Sequence, residues 1–261
     1  MQKEGIVMTK TKEKLFEIIN ILIVVLVLSG AFFPFGYALI RSRGGWSELF
    51  LWSPLFLRTY FNNLLSSIII TVVNLSLSIP AAYYFRRTRF KHKNLLYFAY
   101  IVMLIIPYQA MMLPEYILSK ELGMIDTLIA VIIPSAATPL SVIIITQLFR
   151  TIPEEQIEAF RLESNSELKS LLYIAIPHAR KGIVCCAVIV FSQAWNMIER
   201  PRTLLTGESI LLLQQYISDM PAGAAMFAAV IVVAVIPLIL FIYAEENLRQ
   251  FVISDITKPT E

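Results

Sequence analysis

The chain has 261 residues, of which 57% are hydrophobic and 16% charged, and its formal net charge is +3. A soluble domain of this size is about 45–50% apolar and about 25% charged, so an ordinary soluble domain is excluded. The apolar residues lie in long runs separated by short charged segments, which is typical of membrane spans. So small a positive charge gives little support for nucleic-acid binding, and the sequence predicts none.

Six apolar runs predict six membrane-spanning helices, at residues 18–40, 60–85, 95–117, 127–149, 182–198 and 222–243. The first run follows several lysines, as a signal peptide would. It is longer than the about 7–15 residues of a signal-peptide core and its far end is bulky, so we interpret it as a retained span. Residues 18–244 then form the membrane domain, between a terminal segment at 1–17 and a polar tail at 245–261.

The loop charges predict the orientation of these spans. Basic residues gather before the first span, between the second and third, between the fourth and fifth, and after the sixth. Because positively charged loops stay in the cytoplasm, both termini are predicted to be cytoplasmic. Residues 41–58, which contain two tryptophans, are interpreted as an interfacial loop.

Prolines and polar side chains interrupt the predicted spans. Pro107, Pro114, Pro134 and Pro139 free backbone carbonyls at membrane depth, which is tolerated where a helix faces protein or a wet cavity. The second span also carries a series of small polar residues, interpreted mainly as helix–helix hydrogen-bonding groups. This series comprises Asn62, Asn63, Ser66, Ser67, Asn74, Ser76 and Ser78.

Residues 151–177, here called the coupling loop, are too polar to insert into a membrane. Thr151 with Glu154 and Ser164 with Glu167 each fit a capping box, so the loop is predicted to form two short helices at the membrane surface, the second ending at Pro177. From the residues alone, this element could also be a surface hairpin without a partner.

The run from Glu158 to Ser164, followed thirteen residues later by Pro177, resembles the "EAA" loop of permeases of ATP-binding-cassette (ABC) importers of the carbohydrate-uptake (maltose) type. Flanking runs resemble the same family, including Phe-Arg-Thr-Ile-Pro at 149–153, Leu-Gly-Met-Ile-Asp-Thr at 122–127 and Ala-Trp-Asn at 194–196. One departure is Ser164, where the family has a turn glycine. Serine fits there only if its φ is negative.

The resemblance implies an all-α polytopic membrane protein with six transmembrane helices and a cytoplasmic two-helix coupling loop between helices four and five. It implies half of a solute pathway, for a sugar or oligosaccharide, in a bacterial inner or plasma membrane. The implied partners are a homologous second permease, an ATPase dimer that binds ATP and Mg, an extracellular or periplasmic solute-binding protein, and membrane lipid. Its coupling residues map to Glu154, Glu158, Ala159, Arg161, Glu163, Ser164 and Pro177.

Candidate residues for the solute pathway are aromatic or amide-bearing, because sugar recognition combines an aromatic face with amide hydrogen bonds. They are Tyr108, Gln109, Gln193, Trp195 and Asn196; hydrogen bonding between helices is the alternative for each. Glu199 and Arg200, where the family is usually apolar, join them as a second departure. They are interpreted either as a substrate-facing or gating pair, or as an interfacial Glu–Arg pair.

No catalytic motif is present. The sequence has no phosphate-binding G-x-x-x-x-G-K-[ST] loop, no Ser/His/Asp set and no metal-ligand spacing, so no enzyme activity and no cofactor are predicted for this chain. Cys185 and Cys186 are adjacent and are not expected to pair. Two alternatives stay open: the same architecture importing an amino acid, osmolyte or peptide, and a membrane scaffold or sensor that transports nothing.

Overall fold

The computed structural model describes the backbone of residues 2–51, 53–88, 91–164, 166–207 and 210–256. These ranges form α-helices joined by short connections, so the all-α prediction is confirmed. The helices are α1 Gln2–Arg41, α2 Gly45–Leu51, α3 Pro54–Arg87, α4 Lys93–Ile105, α5 Tyr108–Glu121, α6 Leu128–Ala136, α7 Pro139–Arg150, α8 Glu154–Glu163, α9 Glu167–Ser170, α10 Ile176–Trp195, α11 Glu199–Leu204, α12 Leu213–Asp219 and α13 Ala224–Ile256.

Five helical stretches in the described part of the chain are long and apolar enough to cross a membrane, and α4 with α5 makes a sixth if that bent pair counts as one span. The five are Phe16–Arg41, Pro54–Arg87, Leu128–Arg150, Glu167–Trp195 and Ala224–Glu246. The prediction of six crossings is therefore confirmed only with the bent pair included.

Prolines break the third and fourth predicted spans, as expected. At Pro107 the chain is extended and the axes of α4 and α5 differ by 97°. Between α6 and α7 the helix is interrupted at Ala137 and Thr138, and Pro139 opens α7, where its missing N–H costs no hydrogen bond. Pro114 and Pro134 lie inside helices that continue through them.

The most substantial correction concerns the second coupling helix, which was predicted to end at Pro177. Residues 167–195 instead form one continuous helical stretch, because a π-helical turn at Leu171–Ala175 joins α9 to α10. Ile176 N–H bonds to the Leu171 carbonyl in this turn, and Pro177 falls in the first turn of α10, where proline is tolerated. The second helix of the coupling loop and the fifth span are therefore one continuous piece.

Smaller differences occur at the ends of elements. The second span begins at Pro54, within the segment predicted as an interfacial loop, and that segment also contains α2. The helix of the sixth span continues to Ile256, beyond its predicted end at 243 and into the expected tail. Two short helices, α11 and α12, lie between the fifth and sixth spans, where none was predicted.

The chain divides into two compact units, Met1–Ser53 with Met220–Ala234, and Pro54–Asp219 with Val235–Glu261. In the first unit, Tyr37 and Phe227 make an edge-to-face ring contact at 5.7 Å. The larger unit, which holds the candidate site, has its core where α3, α7 and α10 pack together. Ile145, Phe149, Ala175 and Ile157 of this core are at most 1% exposed.

Candidate functional site

The coupling loop is held to the membrane helices by an apolar anchor. Ile157 of α8 is 1% exposed and packs in the same core as Phe149 of α7 and Tyr83 of α3. The rings of Tyr83 and Phe149 meet edge to face at 6.1 Å. The loop is therefore part of a packed body and not a flexible linker.

Arg86, near the end of α3, connects α3 to the start of α8 and to the end of α7. Its Nη1 lies 2.5 Å from Oε1 of Glu154, the first residue of α8. Its Nε donates to the Phe149 carbonyl at 3.1 Å and its Nη2 to the Ile152 carbonyl at 3.4 Å. These carbonyls lie at and just beyond the end of α7, where a cation also interacts favourably with the helix dipole.

Arg87, the last residue of α3, lies between the two helices of the coupling loop. Its Nη1 is 3.6 Å from Glu154 Oε2 of α8, and its Nε is 3.5 Å from Glu167 Oε2 of α9. Glu167 also accepts hydrogen bonds from Arg161 at 2.5 Å and from the Tyr83 hydroxyl at 2.9 Å. The side chains of Arg86 and Arg87 are only 16% and 13% exposed, whereas those of Glu154 and Glu167 are each 51% exposed, so the contacts lie at the edge of the packed body.

The opposite face of α8 is open. Leu162 is 92% exposed, and Glu158, Ala159 and Glu163 are exposed beside it. Leu162 is thus the large apolar side chain on an otherwise acidic, exposed face of α8. The predicted coupling residues thus fall into two groups: Glu154 and Arg161 make contacts within the chain, while Glu158, Ala159 and Glu163 face outward.

Both predicted capping boxes are wrong in detail. Thr151 donates to the Leu148 carbonyl at 2.8 Å and caps no helix start; Pro153 stands at the N-cap of α8. At α9 the N-cap is Ser166, whose hydroxyl accepts from Lys169 N–H. Ser164 instead ends α8 with φ −153° and ψ 125°, so the negative φ that a serine requires is present. Pro177 is exposed on α10.

A cavity of about 150 Å³ lies among α3, α6, α10 and α11, beside the break between α6 and α7. Its polar wall comprises Ser135 and Thr138, on either side of the break between α6 and α7, together with Gln193 and Arg200. The remainder of its lining is Ile70, Val190, Ala194 and Met197. Two of the predicted solute-pathway residues, Gln193 and Arg200, therefore line one cavity at a helix break.

Arg200 is paired with Glu115 and not with its neighbour Glu199. Its Nε and Nη2 donate to the two Glu115 oxygens at 2.6 and 3.1 Å, and its Nη1 donates to Ser135 Oγ at 3.0 Å. The guanidinium also lies 4.7 Å from the centre of the Tyr108 ring. Consecutive residues of a helix point about 100° apart, which is why Glu199 pairs elsewhere: it accepts from Gln109 Nε2 at 2.9 Å.

Two further predicted solute-pathway residues, Trp195 and Asn196, are not among the residues that line the cavity. Trp195 is fully buried, with its ring stacked on Phe191 at 5.8 Å and edge-on to Tyr60 at 5.6 Å. Asn196 is exposed and donates to the Ser192 carbonyl at the end of α10. Their part in a solute pathway stays a prediction.

Two asparagines of α3 satisfy the carbonyls that the helix ends leave free. Asn63 Nδ2 donates to the Trp195 carbonyl at the end of α10, at 3.1 Å, and Asn74 Nδ2 donates to the Ala136 carbonyl at the end of α6, at 2.8 Å. Both asparagines are at most 1% exposed. The interpretation of these residues as groups that hydrogen-bond between helices describes them correctly.

The loop between α5 and α6 is held by Asp126 to the segment that follows α11. Asp126, in a left-handed backbone conformation with φ 60°, accepts hydrogen bonds from the N–H groups of Thr206 and Gly207 at 2.6 and 2.7 Å. These hydrogen bonds, foremost the one from Gly207, hold the pKa of Asp126 below its ordinary value of 3.8.

The contributors that sequence reasoning missed include Glu115, Ser135 and Arg87. Glu115 carried a usable signal, because a carboxylate inside a predicted span marks a functional or paired site. Arg87 is one of the basic residues between the second and third spans, whose charge predicts orientation and no particular contact, and nothing in the sequence near Ser135 distinguishes it from other serines.

Broken apolar helices, a surface loop on a rigid base and a polar cavity at a helix break define a polytopic transport subunit. The matching family is described as "Binding-protein-dependent transport system inner membrane component", and residues 74–245 match it. The chain belongs to this family and is therefore a multi-pass permease component of ABC importers.

Several relatives are similar over much of the chain. The lactose transport system permease protein LacG of Rhizobium radiobacter is 24% identical over 94% of this chain and 97% of its own length. The sn-glycerol-3-phosphate transport system permease protein UgpE of Brucella abortus is 26% identical over 71% of this chain and 68% of its own length.

A solved structure shares the fold. A chain of a bacterial ABC transporter involved in the import of the acidic polysaccharide alginate matches with a TM-score of 0.77 and 19% identity, over 90% of this chain and 97% of that one.

Proposed function

We propose that this chain is one of two permease subunits of an ABC importer for a sugar or oligosaccharide, and that it forms half of the solute pathway. A separate ATPase dimer, which binds ATP and Mg, docks on the coupling loop and drives alternating access. A solute-binding protein delivers the solute from outside. Both termini lie in the cytoplasm of a bacterial cell.

The observation that carries this proposal is the two-sided construction of α8. One side is fixed by buried Ile157 and by the contacts of Glu154 to Arg86, while the other offers exposed Leu162 between Glu158 and Glu163. A rigid base with an open, partly apolar face suits an element that receives force from another protein. A membrane scaffold without an ATPase partner would not need the exposed face of α8 around Leu162.

The charge of the cavity wall favours a neutral, hydroxyl-bearing solute. Arg200 is the one charged residue that lines the cavity among the described residues, and Glu115 neutralises it through two hydrogen bonds. The remaining polar groups, Ser135, Thr138 and Gln193, are neutral donors and acceptors suited to sugar hydroxyls. The lactose permease similarity agrees with this choice.

A polyol phosphate or another anion is the second candidate solute, favoured by the similarity to the glycerol-phosphate permease and by the presence of Arg200. The two candidates differ in the charge that the cavity must balance. A binding screen of the cognate solute-binding protein with neutral sugars and with sugar or polyol phosphates decides between them.

The docking assignment is tested in the purified transporter, with a tag on this chain. Glu158→Trp and Leu162→Asp place bulk or charge on the open face of α8, and we expect both to abolish uptake into proteoliposomes and to weaken association of the ATPase. Glu121→Trp, an exposed acidic residue at the end of α5, is the matched control. Unchanged uptake and ATPase association in both α8 variants would rule out docking at this face.

A further inference from the structure

We propose that α3 links the coupling loop to the cavity, in addition to the connections that the chain itself makes. In this link, Arg87 is the positioning residue that holds the end of α3 against the coupling loop. This inference rests on the proposed function. The chain itself already connects the coupling loop to α7 and α10. The contacts of α3 add a link through a helix that is not adjacent to the loop in sequence.

The link begins where α3 ends. Arg86 and Arg87 together contact both helices of the coupling loop, through Glu154 of α8 and Glu167 of α9. Tyr83, one turn earlier on α3, donates a hydrogen bond to Glu167 at 2.9 Å. A displacement of α8 relative to α9 would therefore change the contacts of the same arginine.

The link ends at the cavity. Asn74 lies thirteen residues before Arg87, about 20 Å along the helix, and Asn63 lies eleven residues earlier still. Eleven residues are close to three whole turns, so the two asparagines share one face of α3. Asn74 holds the Ala136 carbonyl at the α6–α7 break, and Asn63 holds the Trp195 carbonyl.

These two carbonyls adjoin the polar cavity wall. Ala136 lies between the cavity residues Ser135 and Thr138, and Trp195 follows the cavity residues Gln193 and Ala194. Ile70 of α3 is itself part of the lining. A movement of α3 therefore reaches two sides of the cavity through buried hydrogen bonds.

Arg87 is suited to this task because its planar guanidinium reaches two carboxylates on different helices. Lysine carries the same charge as a single point and cannot hold both in the same way. We therefore expect Arg87→Lys to fold normally but to keep only part of the coupling, which separates a positioning role from a merely structural one.

The experiment measures solute taken up per ATP hydrolysed in proteoliposomes containing the complete transporter. We expect Arg87→Gln to lower this ratio at least about fivefold, within the range of coupling changes between distant sites, with the thermal midpoint and ATPase association nearly unchanged. Arg87→Lys should fall between wild type and Arg87→Gln. The matched control is Arg150→Gln, because Arg150 at the end of α7 contacts Tyr97 and Gln147 and, among the described residues, forms no ion pair with the carboxylates of the coupling loop.

Glu154→Gln weakens the link from the other side, at the contacts of Glu154 to both Arg86 and Arg87, and guards against misfolding of a single variant. Wild-type stoichiometry in Arg87→Gln and Glu154→Gln, full rescue by Arg87→Lys, or an equal loss in Arg150→Gln would each overturn the inference. Loss of assembly in both test variants would do so too, since the contact would then serve folding. A wild-type transporter that takes up no solute would instead contradict the proposed function.

Discussion

The Asn74 side chain on α3 holds the carbonyl of Ala136 at 2.8 Å, and from the same Nδ2 it reaches the Thr138 hydroxyl at 2.9 Å. This carbonyl lacks its helical partner because α6 ends there: the N–H four residues later, that of Leu140, lies in the first turn of α7, beyond the break. Ala136 is only 2% exposed, so the break depends on the hydrogen bond from Asn74. One side chain thus allows a non-helical segment to line a cavity within a span.

We expect Asn74→Ala to lower the free energy of unfolding by about 1–3 kcal/mol, the cost of leaving a buried carbonyl unsatisfied. The measurement is denaturant or thermal unfolding of the purified protein in detergent. Asn62→Ala is the matched control, because Asn62 points about 120° away from Asn74 around α3. An equal effect of the two substitutions would contradict the capping role.

Ser164→Gly restores the residue that the family usually has at the turn of the coupling loop. Since Ser164 has φ −153°, the turn does not need glycine. We expect the substitution to leave uptake unchanged and to lower stability by about 0.5–1 kcal/mol, because glycine gives the unfolded chain more freedom. A marked gain in uptake per ATP hydrolysed would show instead that serine impairs coupling.

The contrast between Asn74 and Ser164 indicates how far sequence reasoning reaches in this molecule. The apolar runs, the proline breaks and the coupling loop follow from local patterns, and Ser164 meets the condition of a negative φ. The partners of Asn74 and Arg200 lie 62 and 85 residues away in sequence, so no local pattern identifies them. The π-helical turn before Pro177 was missed because a proline after a polar segment ordinarily indicates a helix end.

Glu115→Gln tests the pair with Arg200. The two side chains are only 12% and 18% exposed, so the substitution leaves a largely buried cation without its counter-charge. We expect a loss of roughly 3 kcal/mol in unfolding free energy, partly recovered in the double variant Glu115→Gln/Arg200→Gln. Glu199→Gln, on an exposed carboxylate, is the control and should cost less. Simple additivity of the two single substitutions would show that the pair is not coupled.

The hydrogen bonds to Asp126 predict an acid-sensitive loop. Because the folded-state pKa is held below 3.8, the carboxylate contributes stability above that value and loses it as the pH falls through the lower folded pKa. We expect faster hydrogen exchange of the Thr206 and Gly207 amides as the pH is lowered from 5 towards 3, after correction for the intrinsic pH dependence of exchange. Asp126→Asn, which tolerates the same left-handed conformation, should remove this additional change. An identical pH profile in the variant would contradict the assignment.

An added Cβ would make a close contact at Gly45 and at Gly182, with backbone atoms in the first case and with a side chain in the second. A Cβ at Gly45 would overlap the backbone of Ala224 at the start of α13, and a backbone cannot rotate away. At Gly182 the Cβ would meet only the Leu148 side chain, 2.5 Å away, which can change rotamer. We expect Gly45→Ala to lower the free energy of unfolding by roughly 3 kcal/mol or more, whereas Gly182→Ala should stay within about 1 kcal/mol of wild type, because alanine also favours the helix.

The two variants are compared by thermal unfolding in one detergent. If both variants melt like the wild type, the close approach of α2 to α13 within its unit is wrong; if Gly182→Ala is the worse of the two, the core around Leu148 is more rigid than its side chain implies.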